Sequence, residues 1–145
     1  MAETQQLKRA ATRFYDTLND ALRTGRLDLL DDVLAPEAID HNPVPGMAPG
    51  REGIKKAFAE GRRSFSDMRV TVEDTVAEGD KVACRVIVRM VHSGEFQGIP
   101  ATGTRVTQSG IDILRITGGV VTERWGEFDL LGLLQQLGAV MAPRS

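Results

Sequence analysis

One cysteine, one tyrosine, one tryptophan and two histidines stand among 145 residues, and each shortage excludes something. Cys84 has no partner for an intrachain disulfide and cannot supply a cysteine metal cluster. Inside its apolar run it reads as a small buried hydrophobe. His41 and His92 lie far apart, with no second histidine at helical metal spacing, so no metal site is expected. No apolar run approaches the ~20 residues that span a bilayer. The opening MAETQQLKRAATRFYD is polar and helical in pattern, without a signal-peptide core. A membrane is therefore not an expected partner, and the expected setting is cytoplasmic. Charge of one sign is also scarce: the formal net charge is −2, and the basic pairs Lys8/Arg9, Lys55/Lys56 and Arg62/Arg63 are scattered. Nothing forms the stripe that a nucleic-acid backbone would need. The glycines make no phosphate-cradling pattern, Ser93 and Ser109 lack a nucleophile-elbow context, and no cofactor is called for.

The chain that remains is 41% hydrophobic and 26% charged, which suits one folded domain over residues 1–145. Leu7, Ala11, Phe14, Leu18 and Leu22 fall at helical spacing, with Gly25 as a stop. Leu27, Leu30, Val33 and Leu34 predict a second, shorter helix closed before Pro36. The stretch from Asp40 to Gly50 is rich in proline and glycine and must be irregular. A third helix is predicted from Glu52 to Phe65, with Ile54, Ala57, Phe58 and Phe65 on one side.

After Asp67 the period changes from helical to two. Met68, Val70, Val72 and Val76 alternate with polar residues, and after the Glu78-Gly79-Asp80 turn Val82, Cys84, Val86, Val88 and Met90 do the same. Two more strands, Thr104 to Ile116 and Val120 to about Phe128, meet at Thr117-Gly118-Gly119. A leucine-rich helix from Leu130 to Leu137 ends at Gly138. Helices first and hairpin-linked strands afterwards predict an α+β fold, an antiparallel sheet with helices on one face.

Polar side chains on apolar faces are the informative residues, because burial without a partner or a task is costly. Alternation places Asp74, His92, Gln108 and Asp112 on the inward faces of their strands. Asp74 and His92 sit at strand ends, where the pattern is free to break. Asp112 lies mid-strand between Ile111 and Ile113, as a hydrogen-bonded interior or functional residue would. His41 occupies a loop of the kind that carries chemistry on a scaffold, although Asp40-His41-Asn42-Pro43 also reads as a simple turn. Tyr15 borders the stripe of the first helix, as core filler or pocket lining, and its hydroxyl will need a partner. Trp125 lies among charged neighbours, which fits a pocket rim or a subunit interface.

The order of elements, the loop IDHNPVPG, the stretch GEFQGIPATGTRV, the strand GIDILRI with its Gly-Gly turn, and ERWGEFDLLGLLQQLG together resemble the SnoaL-like polyketide cyclase family. That family shares a cone-shaped α+β fold with ketosteroid isomerase, scytalone dehydratase and limonene epoxide hydrolase. The resemblance covers roughly Leu7 to Gly138. It implies N-terminal helices packed on the concave face of a strongly curved sheet, and intramolecular aldol ring closure without metal or cofactor. It places the inward polar position of the third strand on Asp112, the first-helix tyrosine on Tyr15, the loop polar group on His41-Asn42, and the acidic residue before the final helix on Asp129. The family's catalytic aspartate directly follows the position of Trp125, and here that position is Gly126. A bulge at Gly126 would rotate Glu127 inward to replace it. Otherwise Asp112 or His41 carries the proton.

The resulting expectation is a cofactor-independent cyclase acting on a polyketide-like carbonyl compound, with Asp112, His41 and Glu127 as catalytic candidates. Tyr15, Asn42, Phe58, Met90, Gln108, Arg124, Trp125 and Asp129 are the candidate substrate-binding residues. Two alternatives stay open: a hydrolase or dehydratase on the same fold, and a small-molecule-binding domain without chemistry. Arg85, Ile87 and Arg89 together with Arg105, Ile111 and Ile113 give the outer sheet face an amphipathic mixture, which points to a homodimer.

Overall fold

A computed structural model describes residues 2–140. Helix α1 spans Ala2–Thr24 and buries Ala11, Phe14, Tyr15, Leu18, Ala21 and Leu22. That spacing makes a continuous apolar stripe, each large side chain contributing about 1.5–3 kcal/mol on burial. Gly25 ends the helix with φ at +79° and its N–H on the carbonyl of Ala21, a conformation that glycine adopts without steric cost.

The next segment departs from the sequence expectation. Leu27–Asp32 is a short 3₁₀ helix, and Leu34–Asp40 is a strand, β1, not the end of a second α-helix. Leu34 and Ala38 are buried while Pro36 and Glu37 are exposed. Pro36 is tolerated because β1 lies at the sheet edge, where a missing N–H breaks no ladder. Helix α2 follows at Gly50–Ser64, so Phe65, expected to close that helix, instead opens strand β2, Phe65–Glu78. Strands β3 (Lys81–His92), β4 (Arg105–Thr117) and β5 (Val120–Phe128) and helix α3 (Leu130–Gln136) complete the chain.

The sheet order is β1-β5-β4-β3-β2. Four strands are antiparallel neighbours, but β1 runs parallel to β5, so the sheet is mixed, not purely antiparallel. The parallel pairing brings the C-terminal end of β1 beside the middle of β5, with Asp40 opposite Arg124. All three helices pack on one face of the sheet. No helix of the described residues is long and apolar enough to cross a membrane.

Register decides which side chains turn inward. Along β3, Val82, Cys84, Val86, Val88, Met90 and His92 are all buried, and the intervening residues are not. In β2 the pairing slips between Val72 and Asp74, which turns Asp74 to solvent and leaves Val76 66% exposed. A one-residue bulge reverses the facing of everything beyond it, so the inward placement expected for Asp74 does not hold.

Candidate active site

Alternation along β4 puts Val106, Gln108, Gly110, Asp112 and Leu114 on the helix-covered face. The facing residues of β5 are Phe128 opposite Gly110, Gly126 opposite Asp112 and Arg124 opposite Leu114. The ring of Phe128 lies directly across Gly110, in space that any side chain at position 110 would fill. Helices α1, α2 and α3 close this face with Phe14, Tyr15, Leu18, Phe58 and Leu133, and the loop before β4 adds Phe96. They enclose a cavity of about 270 Å³ whose walls are apolar except for Tyr15, Gln108, Asp112 and Arg124. Larger grooves lie on the surface, at residues 36–50 and beside residues 19–23, but neither reaches Asp112.

The polar groups form one chain of contacts. Asp112 is 4% exposed. Its Oδ2 accepts the Tyr15 hydroxyl at 2.7 Å, and its Oδ1 accepts Nε of Arg124 at 2.9 Å and lies the same distance from Nη2 in an ion pair. Arg124 also donates through Nη1 to Oδ2 of Asp40 at 2.8 Å. Asp40 Oδ1 accepts the backbone N–H of Asn42, and Asn42 Oδ1 accepts the N–H of Gly126, each at 2.9 Å. The turn after β1 is thereby laced to β5 directly opposite the cavity.

Burial and the adjacent Asp112 carboxylate push the Tyr15 hydroxyl far above the ordinary tyrosine range, so it stays a neutral donor. Burial pulls on the Arg124 guanidinium in the direction of deprotonation, but Asp112 and Asp40 outweigh it and hold the group above its usual value. Cys84, the cross-strand partner of Asp112 on the same face, is wholly buried, and desolvation raises its thiol to about 11.

Gly126 is the key to this arrangement. A Cβ placed there would stand 2.4 Å from Nη2 of Arg124 and 2.7 Å from Oδ1 of Asp112. The guanidinium occupies the volume that a side chain at this position would need. The β4–β5 register runs unbroken from Gly110↔Phe128 to Arg115↔Glu123, so there is no bulge at Gly126 and Glu127 stays on the outer face, exposed. The rotation of Glu127 into the cavity does not occur.

His41 is likewise placed away from Asp112. Its ring stacks on Trp125 with centroids 4.5 Å apart and planes within 6°, and its Nε2 meets Oε2 of Glu123 at 2.7 Å. Trp125 pairs across strands with Ile113 on the outer face, so it does not line the cavity, and Lys81 covers its ring at 5.0 Å. Asn42 acts on the backbone of β5 and reaches Glu127 through Nδ2. Asp129 caps α3 by accepting the N–H of Gly132. Tyr15, Phe58, Met90, Gln108, Asp112 and Arg124 do line the cavity. Asp40 was not singled out from the sequence. Its turn reading accounts for the backbone contact with Asn42, and nothing local shows that its other oxygen reaches a residue of β5.

His92 is fully buried, so the alternation of β3 persists to the strand end, where the sequence left it free to break. Its Nδ1 contacts Thr102 Oγ1 at 2.9 Å and accepts the Thr102 N–H at 3.2 Å. Together with the backbone bonds from Gly103 to His92 and from His92 to Thr104, this fixes the loop that carries Phe96. The other ring nitrogen, Nε2, is buried with no partner among the described residues.

Comparison with known proteins adds the lineage. The family profile described as SnoaL-like polyketide cyclase matches residues 11–137. Aklanonic acid methyl ester cyclase DauD of Streptomyces sp. (strain C5) is 30% identical over 125 residues, 82% of this chain and 76% of that protein. Nogalonic acid methyl ester cyclase of Streptomyces nogalater is 27% identical over 122 residues, 81% of this chain and 90% of that one. Among solved structures, TsrD from Streptomyces laurentii superposes with a TM-score of 0.81 at 34% identity, over 91% of this chain and 97% of that one.

Proposed function

This chain belongs to the SnoaL-like polyketide cyclase family, and from that premise we propose that it closes a ring in a polyketide ester by cofactor-independent intramolecular aldol chemistry, with Asp112 as the base. The observation that carries this reading is the Tyr15–Asp112–Arg124 cluster, whose members share a single otherwise apolar cavity with Gln108. A base buried in an apolar pocket, with a neutral donor and a cation beside it, is the equipment that enolate chemistry requires.

In the proposed reaction Asp112 removes a proton from a carbon α to a carbonyl. The C–H electron pair moves into the enolate, whose oxygen is met by Arg124 or the Tyr15 hydroxyl. The enolate carbon then attacks a ketone of the same molecule. One C–C bond forms, and the new alkoxide recovers the proton from Asp112, so product is an isomer of substrate and no co-reactant is consumed. Phe58, Met90, Phe128 and Gln108 hold the substrate. The names of the relatives, methyl ester cyclases of aklanonic and nogalonic acid, support a polyketide methyl ester as the substrate class. Assembly belongs to the same proposal: Ile39, Ile111 and Ile113 are 50%, 51% and 37% exposed, and an apolar patch of this kind on the outer face favours a homodimer.

Aklanonic and nogalonic acid methyl esters are the test substrates. Wild-type protein is expected to cyclise at least one of them, and Asp112→Asn to lower turnover at least ~100-fold. The far-ultraviolet circular dichroism of the variant should be unchanged. Turnover of neither ester, or undiminished turnover by folded Asp112→Asn, would overturn the proposal.

A further inference from the structure

Asp112 presents a difficulty as a base. One of its oxygens is engaged by Arg124, which donates through Nε and keeps Nη2 at the same 2.9 Å. Taking up a proton would break the pair and leave a buried guanidinium uncompensated, which is strongly unfavourable. The structure contains the remedy in Asp40. Its side chain is 7% exposed, and it accepts Nη1 of Arg124 at 2.8 Å, on the opposite edge of the guanidinium from Asp112.

We propose that Asp40 is a positioning residue that makes Asp112 competent as a base by sharing the charge of Arg124. The inference rests on the assignment of Asp112 made above. Two carboxylates face one guanidinium, so the cluster carries one excess negative charge while Tyr15 is neutral. When Asp112 accepts the α-proton, a C–H bond breaks, an O–H bond forms and the electron pair passes to the enolate. The cluster then holds Asp112 in its acid form and an intact Asp40–Arg124 ion pair. No charge is stranded, and Nε and Nη2 of Arg124, freed from Oδ1, can turn toward the enolate oxygen. The other groups facing Asp112 are Tyr15 from α1, Cys84 from β3 and Gln108 from β4. The first two stay protonated through the neutral range and the third does not titrate, so Asp40 and Arg124 alone set the charge balance.

Asp40 is held for this task. The N–H of Asn42 fixes its second oxygen, and Asn42 in turn holds the N–H of Gly126, the residue directly across the sheet from Asp112. Contact with substrate is not required of Asp40, which stands behind the guanidinium.

The test compares pH–rate profiles of wild type, Asp40→Asn, Asp40→Glu and Asp112→Asn on the same methyl ester. Activity that depends on an unprotonated base rises with pH through an acid limb. Removing the charge of Asp40 leaves Arg124 entirely to Asp112, which favours the ionised base and moves the limb to lower pH. For Asp40→Asn the expected result is a limb displaced to lower pH, with kcat reduced ~10–100-fold and KM within ~3-fold. Asp40→Glu keeps the charge and should leave the limb within about 0.3 units of wild type. Should Asp40→Asn fail to fold, Asp40→Glu carries the test alone, and a displaced limb overturns the inference. A structural role would lower stability and kcat without moving the limb, and that result also overturns it. If Asp112→Asn is inactive while the Asp40→Asn profile matches wild type, only the present inference fails. If Asp112→Asn keeps its turnover, the base assignment fails first.

Discussion

Substituting Gly126 with alanine adds one methyl group and tests the site without touching any charged residue. The backbone there is ordinary strand with negative φ, so alanine introduces no conformational strain, and in a strand it is favoured over glycine by roughly 0.5–1 kcal/mol. Sterically the position is closed. The new Cβ would lie 2.4 Å from Arg124 Nη2, whereas ordinary contact begins at 3.4 Å, so the guanidinium must retreat by about 1 Å or swing away. Either movement breaks its contacts with Asp112, whose loss costs about 1.5–3 kcal/mol for a hydrogen bond to a charged group. The larger 3–5 kcal/mol of a fully stranded buried charge does not apply, because Asp40 keeps its hold on Nη1. Setting the propensity gain against the loss, Gly126→Ala should destabilise by about 0.5–2.5 kcal/mol, seen as a lower urea midpoint at unchanged m. In a domain of this size that is a fall in Tm of roughly 1–10 °C. Turnover should fall as well, since the cation no longer sits beside Asp112, the proposed base. The decisive control is Gly126→Ala in an Arg124→Met, Asp112→Ala background, where both side chains that approach the new Cβ within 3 Å are gone. There the same methyl should cost less than ~0.5 kcal/mol. A Gly126→Ala protein as stable as wild type would refute the claim that Arg124 fills the place of the missing side chain.

Two other expectations follow from buried and exposed groups. Cys84 has its thiol raised to about 11 by burial, against an ordinary value of 9.0, and Tyr15 is raised well above 10.0. A raised pKa in the folded state stabilises below the unfolded value and loses that contribution as pH climbs. Stability should therefore decline from about pH 9, by about 2–3 kcal/mol at pH 11 from Cys84 alone, and more steeply above pH 10 as Tyr15 joins. In Cys84→Ala the part of the loss that begins near pH 9 should vanish from a series of urea midpoints, and an unchanged series would count against the burial argument. On the outer face, Ile111→Lys combined with Ile113→Lys should convert a homodimer to monomer by light scattering at micromolar concentration, and a monomeric wild type would remove the basis for that interface.

Periodicity carried most of the fold. The apolar stripe of α1 and the alternation of β3 and β4 identify their inward faces residue by residue, and Asp112 and His92 were legible because each interrupts such a face with a polar group. What periodicity could not convey was pairing. β1 is short, contains Pro36 and is held in the sheet through β5, far away in sequence, so its one leucine, Leu34, read as the end of a helix. Asp74 was misplaced by a bulge that leaves no mark in the local pattern. The same limit explains Asp40, whose partner Arg124 is 84 positions away along the chain. Gly126 was visible as a departure from the family's pattern, but only the structure reveals that the vacated volume holds a guanidinium.

The parallel union of β1 with β5 also has a meaning in folding time. Strands β2 to β5 are joined by local hairpins or a modest loop, and with α1, α2 and α3 they carry every wall of the cavity, Tyr15, Asp112 and Arg124 included, without β1. The charge that completes the cluster arrives on an edge strand whose closure spans most of the chain, a contact of the kind that forms slowly because its loop entropy must be overcome first. An opening confined to β1 would leave the pocket in place with Arg124 committed to Asp112 alone. On the role proposed for Asp40, a chain with β1 undocked would shelter a substrate without being equipped to deprotonate it.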